Sequence, residues 1–123
     1  MRPRNKFSAH ARAKSFVYAF NGLLYFFRTQ HNTWIQAAAA AVAVGLGYYL
    51  RISANEWCWI IFCIGFVFAA ELFNTAVETL VDLVSPGFNE KAGRVKDVAA
   101  GAVLIASLTA AAIGGMIFIP KMI

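Results

Sequence analysis

Residues 69–82 read AAELFNTAVETLVD, and they place three carboxylates at the end of a long apolar segment. On a helix that advances about 100° per residue, Glu71, Glu78 and Asp82 fall on one stripe, and Asn74 lies on the same side. Ionisable groups inside a membrane helix are costly, and they usually face a protein interior or a wet cavity. This acidic stripe therefore predicts a functional site.

The composition of the 123-residue chain is that of a membrane protein. Hydrophobic residues make up 60% of the chain and charged residues only 14%, against roughly 25% charged residues in soluble domains. A soluble fold of this size cannot bury so much apolar surface, so lipid must be the solvent for part of the chain. We predict one all-α membrane domain over residues 1–123, with Cys58 and Cys63 as small buried residues and not as metal ligands.

The apolar pattern divides the chain into one surface helix and three spans. Over about residues 12–28, apolar residues recur on one helical face opposite a basic and aromatic stripe, which is typical of an amphipathic helix in the membrane interface. Three apolar segments follow, at about residues 33–50, 57–84 and 98–119, and each is long enough to cross a bilayer. Ser53 is the predicted cap of the second span.

The basic residues predict the orientation of the spans. Nine of the eleven Lys and Arg residues lie in the N-terminal region or in the connection between the second and third spans. Only Arg51 and Lys121 lie on the other side, so the N-terminus and the acidic stripe are expected on the cytoplasmic face. The net charge of +5 is clustered at the ends of apolar segments, which suits anionic lipid headgroups and not nucleic acid.

The residue types of the stripe suit phosphoryl transfer. Glu71 is the candidate base, because a carboxylate that is removed from water holds a proton more readily. Glu78, nearer to water, is the candidate ligand for Mg²⁺, which prefers carboxylate oxygens, phosphates and water. Lys96 and Asp97 lie at the mouth of the third span, where a lysine can bind phosphate. A small proton-coupled transporter or channel subunit that uses Glu71 is the alternative, since membrane carboxylates also serve proton relays.

Three motifs carry a resemblance to a known family: Glu71-Leu-Phe-Asn-Thr-Ala-Val-Glu78, Val81-Asp82 and Gly93-Arg-Val-Lys-Asp97. Together they resemble the signature of the bacterial integral-membrane diacylglycerol kinase and undecaprenol kinase family, and the match covers nearly the whole chain. The resemblance implies a multi-pass homotrimer in the bacterial cytoplasmic (inner) membrane, with a surface helix and three spans per subunit. It also implies an enzyme of phospholipid or cell-envelope lipid-carrier metabolism, which transfers the γ-phosphate of MgATP to a lipid hydroxyl.

The same resemblance implies roles for single residues. Glu71 is the implied catalytic base and Glu78 the implied magnesium ligand. Gln30 stands where the family often has a metal-binding Glu, which leaves the metal with one charge fewer or with an amide oxygen. Asn89 stands where the family often has a His, so the resemblance does not decide whether position 89 contacts the nucleotide. The positions implied to bind ATP are Tyr18, Asn74, Glu78, Gly87, Phe88, Asn89, Lys96 and Asp97.

Three further expectations concern the surroundings of the stripe. One three-helix subunit leaves part of the stripe uncovered, so a neighbouring subunit is expected to complete the cavity and share the site. Asp82 either belongs to the site or has a structural role, as a cap or as the partner of Arg94. The small residues Ala69, Ala70 and Ala100 beside Glu71 are expected to admit either diacylglycerol or undecaprenol. Undecaprenol is slightly favoured, because residues 84–88 and 96–104 resemble those of undecaprenol-type members of the family.

Overall fold

The computed structural model describes residues 8–123, and over that range the chain is helical apart from short connections. The prediction of an all-α protein is confirmed. Arg2, Arg4 and Lys6, which contribute to the predicted orientation, lie outside the described residues. Four helices follow one another in the order α1 (Ala9–Thr29), α2 (Asn32–Tyr49), α3 (Ala54–Val84) and α4 (Glu90–Met122).

The chain divides into two units, with the boundary inside α2 between Ile35 and Gln36. In the first unit, α1 begins at its N-cap Ser8, whose side chain accepts a hydrogen bond from the backbone N–H of Ala11. The helix ends at Gln30, whose carbonyl accepts a hydrogen bond from the Thr33 hydroxyl. This capped turn fixes the passage from α1 into the first turn of α2.

The apolar face predicted for α1 is largely exposed, and its buried residue lies elsewhere on the helix. Phe16 and Phe20 belong to that face, yet they are 77% and 61% exposed. The buried residue of α1 is Phe26, which is 2% exposed and lies edge-on to the Phe27 ring with the centroids 5.6 Å apart. An interfacial helix turns its apolar face toward lipid and not toward protein, and the place of α1 in the membrane interface stays a prediction.

Two helices of the described chain, α3 and α4, are long and apolar enough to cross a membrane. They contain 31 and 33 residues, which at 1.5 Å per residue extend about 46 and 50 Å, beyond a hydrocarbon core of about 30 Å. Their polar ends can therefore lie in water. α2 has 18 residues and carries Asn32, Thr33 and Gln36 in its first turns, and a third span stays a prediction.

Close packing holds one end of the second unit together. Ile52, Ile60, Ile117 and Phe118 form its buried core. Gly47 of α2 lies against the Trp57 ring of α3, and a Cβ at this position would approach that ring to 2.6 Å. Only glycine allows this close approach of the two helices.

Polar contacts fix the start of α3 at the same end. Ser53 caps the helix, as predicted, and it forms a reciprocal capping box with Glu56. The Glu56 carboxylate also lies 3.3 Å from the ammonium of Lys121, close to the end of α4. Because this ion pair joins the start of α3 to the end of α4, the two helices run antiparallel, and the acidic end of α3 faces the start of α4.

Candidate active site

The antiparallel packing of α3 and α4 brings Lys96 to the acidic stripe. The Nζ atom of Lys96 lies 2.5 Å from Oδ1 of Asp82, and Glu78 is close enough to interact with the same ammonium electrostatically. The Lys96–Asp82 pair is partly exposed, so it contributes little to stability. Arg94, the other partner considered for Asp82, instead pairs with Glu90 at 3.3 Å.

A second contact of the stripe joins Asn74 to Glu78, one helical turn later. Nδ2 of Asn74 donates a hydrogen bond to Oε1 of Glu78 at 3.1 Å. The other polar atom of Asn74, Oδ1, is buried and has no hydrogen-bond partner among the described residues. A buried oxygen without a partner is costly. Its position beside a carboxylate suggests that a ligand completes its bonding.

The side-chain oxygens of Glu78 and Asn74 suit magnesium better than a metal ion that takes all its ligands from the protein. Within residues 8–123, no group of three or more His, Cys, Asp or Glu side chains is placed to hold a metal ion. Magnesium commonly takes one or two carboxylates from the protein and keeps water and phosphate as its other ligands. The donor set at this end of α3 matches that preference.

A third polar contact reaches Glu71 from α2. Nε2 of Gln36 donates a hydrogen bond to Oε1 of Glu71 at 3.3 Å, and both side chains are half-buried. From the sequence, Gln36 stands out only as the strongly polar residue within the apolar segment 33–50. Periodicity within α2 does not reveal that this residue faces Glu71.

A groove of about 330 Å³ runs between α2, α3 and α4 inside the second unit. Gln36 lines it, so one part of the groove reaches the partner of Glu71. Most other lining residues are apolar, and the small ones among them differ from the expected Ala69, Ala70 and Ala100. These small lining residues are Ala39, Ala40 and Ala43 of α2 and Ala110, Ala111 and Gly114 of α4.

The connection between α3 and α4 is exposed. Gly87 and Phe88 lie in this connection, and Asn89 is the N-cap of α4, whose Oδ1 accepts a hydrogen bond from the N–H of Ala92 at 3.1 Å. A capping role alone therefore accounts for an asparagine at position 89. Asp97 follows Lys96 in the second turn of α4 and is also exposed.

The other two candidate residues belong to the first unit. Tyr18 lies in α1 and is 45% exposed, and Gln30 is the C-cap residue of the same helix. Their predicted roles, binding ATP and metal respectively, stay predictions.

The contacts of the second unit join Gln36 to Glu71, Asn74 to Glu78, and Lys96 to Asp82.

Residues 17–118 match the family model described as prokaryotic diacylglycerol kinase. The chain belongs to this family. An undecaprenol kinase of Bacillus subtilis (strain 168) is 40% identical over 109 residues, which cover 89% of each chain. A diacylglycerol kinase of Synechocystis sp. is 36% identical over 110 residues, 89% of this chain and 63% of the relative. A diacylglycerol kinase of Escherichia coli (strain K12) is 32% identical over 75 residues, 61% of this chain and 62% of the relative.

The prokaryotic diacylglycerol kinase match confirms the resemblance drawn from the three motifs. The matched segment includes every candidate site residue, from Tyr18 to Asp97. The relatives are named as lipid kinases, so the alternative of a proton-coupled transporter is not favoured.

Proposed function

We propose that this member of the prokaryotic diacylglycerol kinase family transfers the γ-phosphate of MgATP to the hydroxyl of a membrane lipid, either diacylglycerol or undecaprenol. The observation that carries the proposal is the cluster at the end of α3. Glu71 supplies a half-buried carboxylate. Glu78 supplies a second carboxylate, which accepts a hydrogen bond from the amide of Asn74. Lys96 of α4 supplies an ammonium group. These are the groups that proton removal, metal binding and phosphate binding require.

Glu71 is the proposed general base. It accepts the proton of the lipid hydroxyl as the hydroxyl oxygen forms a bond to the γ-phosphorus of ATP. The bond from that phosphorus to the bridging oxygen of the β-phosphate breaks, and its electron pair leaves with ADP. The products are the lipid monophosphate, ADP and a protonated Glu71.

Glu78 is the proposed magnesium ligand, with the buried oxygen of Asn74 beside it. Gln30 is proposed as a metal-binding residue from the family resemblance alone. Magnesium, when bound with ATP, neutralises the charge that develops on the β- and γ-phosphates. Lys96 adds a fixed positive charge for the phosphates. Its partly exposed pair with Asp82 is weak enough to be exchanged for a phosphate oxygen. The remaining proposed contacts to ATP are Tyr18, Gly87, Phe88, Asn89 and Asp97.

We place this chemistry at the cytoplasmic face of the bacterial inner membrane, with α2, α3 and α4 as the three spans and α1 on the surface. The exposed Phe16 and Phe20 of α1 support the surface position, because such side chains insert at the boundary between headgroups and acyl chains. The N-terminus then lies in the cytoplasm. In this arrangement a lipid hydroxyl at headgroup level meets Glu71 just inside the hydrocarbon boundary.

We further propose a homotrimer in which a neighbouring subunit covers the exposed part of each site. The partial exposure of Asp82 and Lys96 in one subunit and the many large apolar side chains on its surface support this arrangement. Purified protein in detergent is expected to show its activity in a species of three times the subunit mass, as measured by light scattering on a sizing column. Full activity in a monomeric fraction would contradict site sharing.

The acceptor range provides the test of the proposed function. Purified protein with MgATP is expected to phosphorylate both lipids, because small residues shape the groove beside Gln36. Undecaprenol is expected to be slightly favoured, because residues 84–88 and 96–104 resemble those of undecaprenol-type members of the family. Initial rates with diacylglycerol and undecaprenol at matched surface concentration measure the preference. A diacylglycerol preference beyond about 100-fold, which is about 2.7 kcal/mol of transition-state discrimination, would contradict the stated preference. Absence of phosphorylated lipid with either acceptor would contradict the kinase function itself.

A further inference from the structure

A hydrogen bond joins α2 to the acidic end of α3. Gln36 and Glu71 are 35 residues apart in sequence, and Nε2 of Gln36 lies 3.3 Å from Oε1 of Glu71. An amide in an apolar helix loses its hydration and needs a partner. A carboxylate forms a stronger hydrogen bond than a neutral acceptor does. The two half-buried side chains therefore restrain each other.

The bond also selects an orientation of the base. The terminal torsion of a glutamate side chain is broad, so a carboxylate without a partner presents its oxygens in many directions. Gln36 engages Oε1, which restricts the carboxylate and leaves Oε2 as the oxygen that would accept the proton of an incoming hydroxyl. Gln36 lines the groove between α2, α3 and α4 as well, so one residue contacts both that groove and the base.

From these two contacts we propose that Gln36 is a positioning residue, which fixes the carboxylate of Glu71 for removal of the acceptor's proton. The proposal rests on the lipid kinase function proposed above. Gln36 acts only through Glu71, and ATP and magnesium bind elsewhere in the cluster. Loss of its amide therefore slows the chemical step and leaves the binding of ATP unchanged.

Gln36→Met removes the amide and nearly preserves the length and volume of the side chain. We expect kcat for lipid phosphorylation to fall about tenfold to hundredfold, the effect of misplacing a catalytic group by about 1 Å, with KM for ATP within about twofold of the parent. Gln36→Asn keeps the amide but shortens the side chain by one methylene group, and a similar fall is expected because the amide nitrogen of the shorter side chain no longer reaches Glu71. A kcat within about twofold of the parent in Gln36→Met would overturn the proposal.

A double-mutant cycle separates positioning from a merely structural role. If Gln36 acts through the carboxylate of Glu71, then Gln36→Met lowers kcat in the parent but not in the Glu71→Gln background. A structural defect would lower kcat by the same factor in both backgrounds. Equal losses in the two backgrounds would therefore overturn the proposal.

Thr109→Val is the matched control, because it also removes a polar group from a mainly apolar helix. The Thr109 hydroxyl bonds the carbonyl of Ile105 within its own helix, so kcat is expected to stay near that of the parent. Thermal stability and elution volume in detergent show whether each variant is folded. Failure of the parent to phosphorylate lipid would count against the kinase function, whereas an active parent with an equally active Gln36→Met variant would overturn only the role of Gln36.

Discussion

Replacement of Glu71 by Gln is expected to lower kcat for lipid phosphorylation by about 10² to 10⁴, the usual contribution of a general base. The substituted amide keeps the shape of the side chain and can still accept a hydrogen bond from Gln36, so the contact between α2 and α3 is retained. It cannot take the proton of the lipid hydroxyl. ATP binding is expected to be largely kept, and the measurements are initial rates together with equilibrium binding of ATP.

Glu56→Gln is the matched control for this prediction. It makes the same chemical change in the same helix, but at the end remote from the stripe, where Glu56 pairs with Lys121. Gln also satisfies the capping box that Glu56 forms with Ser53, so α3 keeps its start. Activity is expected to stay near that of the parent. A Glu71→Gln variant as active as this control would contradict the assignment of the base.

Replacement of Glu78 by Gln is expected to raise the magnesium concentration required for half-maximal activity. Loss of a ligating carboxylate should have at least the effect of losing an outer-shell partner, about tenfold to hundredfold in metal affinity. The substituted side chain still offers an oxygen to the amide of Asn74, so the local helix is retained. Magnesium titrations at saturating ATP measure the change.

Glu90→Gln provides the corresponding control, since this substitution removes the exposed ion pair with Arg94. Exposed ion pairs contribute little to stability. Its magnesium requirement is expected to match that of the parent. If Glu78→Gln also had the magnesium requirement of the parent, the division of labour between Glu71 and Glu78 would be wrong.

The sequence predicts the helical fold and the acidic stripe because both follow from spacing along one chain segment. Apolar runs of membrane length specify α3 and α4, and the spacing from Glu71 to Glu78 puts both carboxylates on one side of α3. The cap at Ser53 can also be predicted, because a capping box requires only a Ser or Thr and a Glu or Gln three residues later. These are local features of the sequence.

Contacts between helices could not be predicted in the same way. The periodicity of α3 does not say that Asp82 meets Lys96 and not Arg94, because the pairing depends on how α4 is rotated against α3. The bond from Gln36 to Glu71 joins residues far apart in sequence, and only the packed structure reveals it. The burial of Phe26 is a similar case, since it lies outside the predicted apolar face of α1.

A single-turnover experiment tests the central claim most directly, namely that a lipid hydroxyl reacts with the γ-phosphate of ATP at the acidic stripe. It measures the transfer of label from γ-labelled ATP to lipid. Parent and Glu71→Gln proteins are loaded with labelled MgATP, and undecaprenol or diacylglycerol is then added. We predict that both proteins bind ATP equally, that the parent forms labelled lipid monophosphate, and that the variant forms it about 10² to 10⁴ times more slowly. Equal rates in the two proteins, or release of labelled inorganic phosphate without lipid product from the parent, would contradict the account.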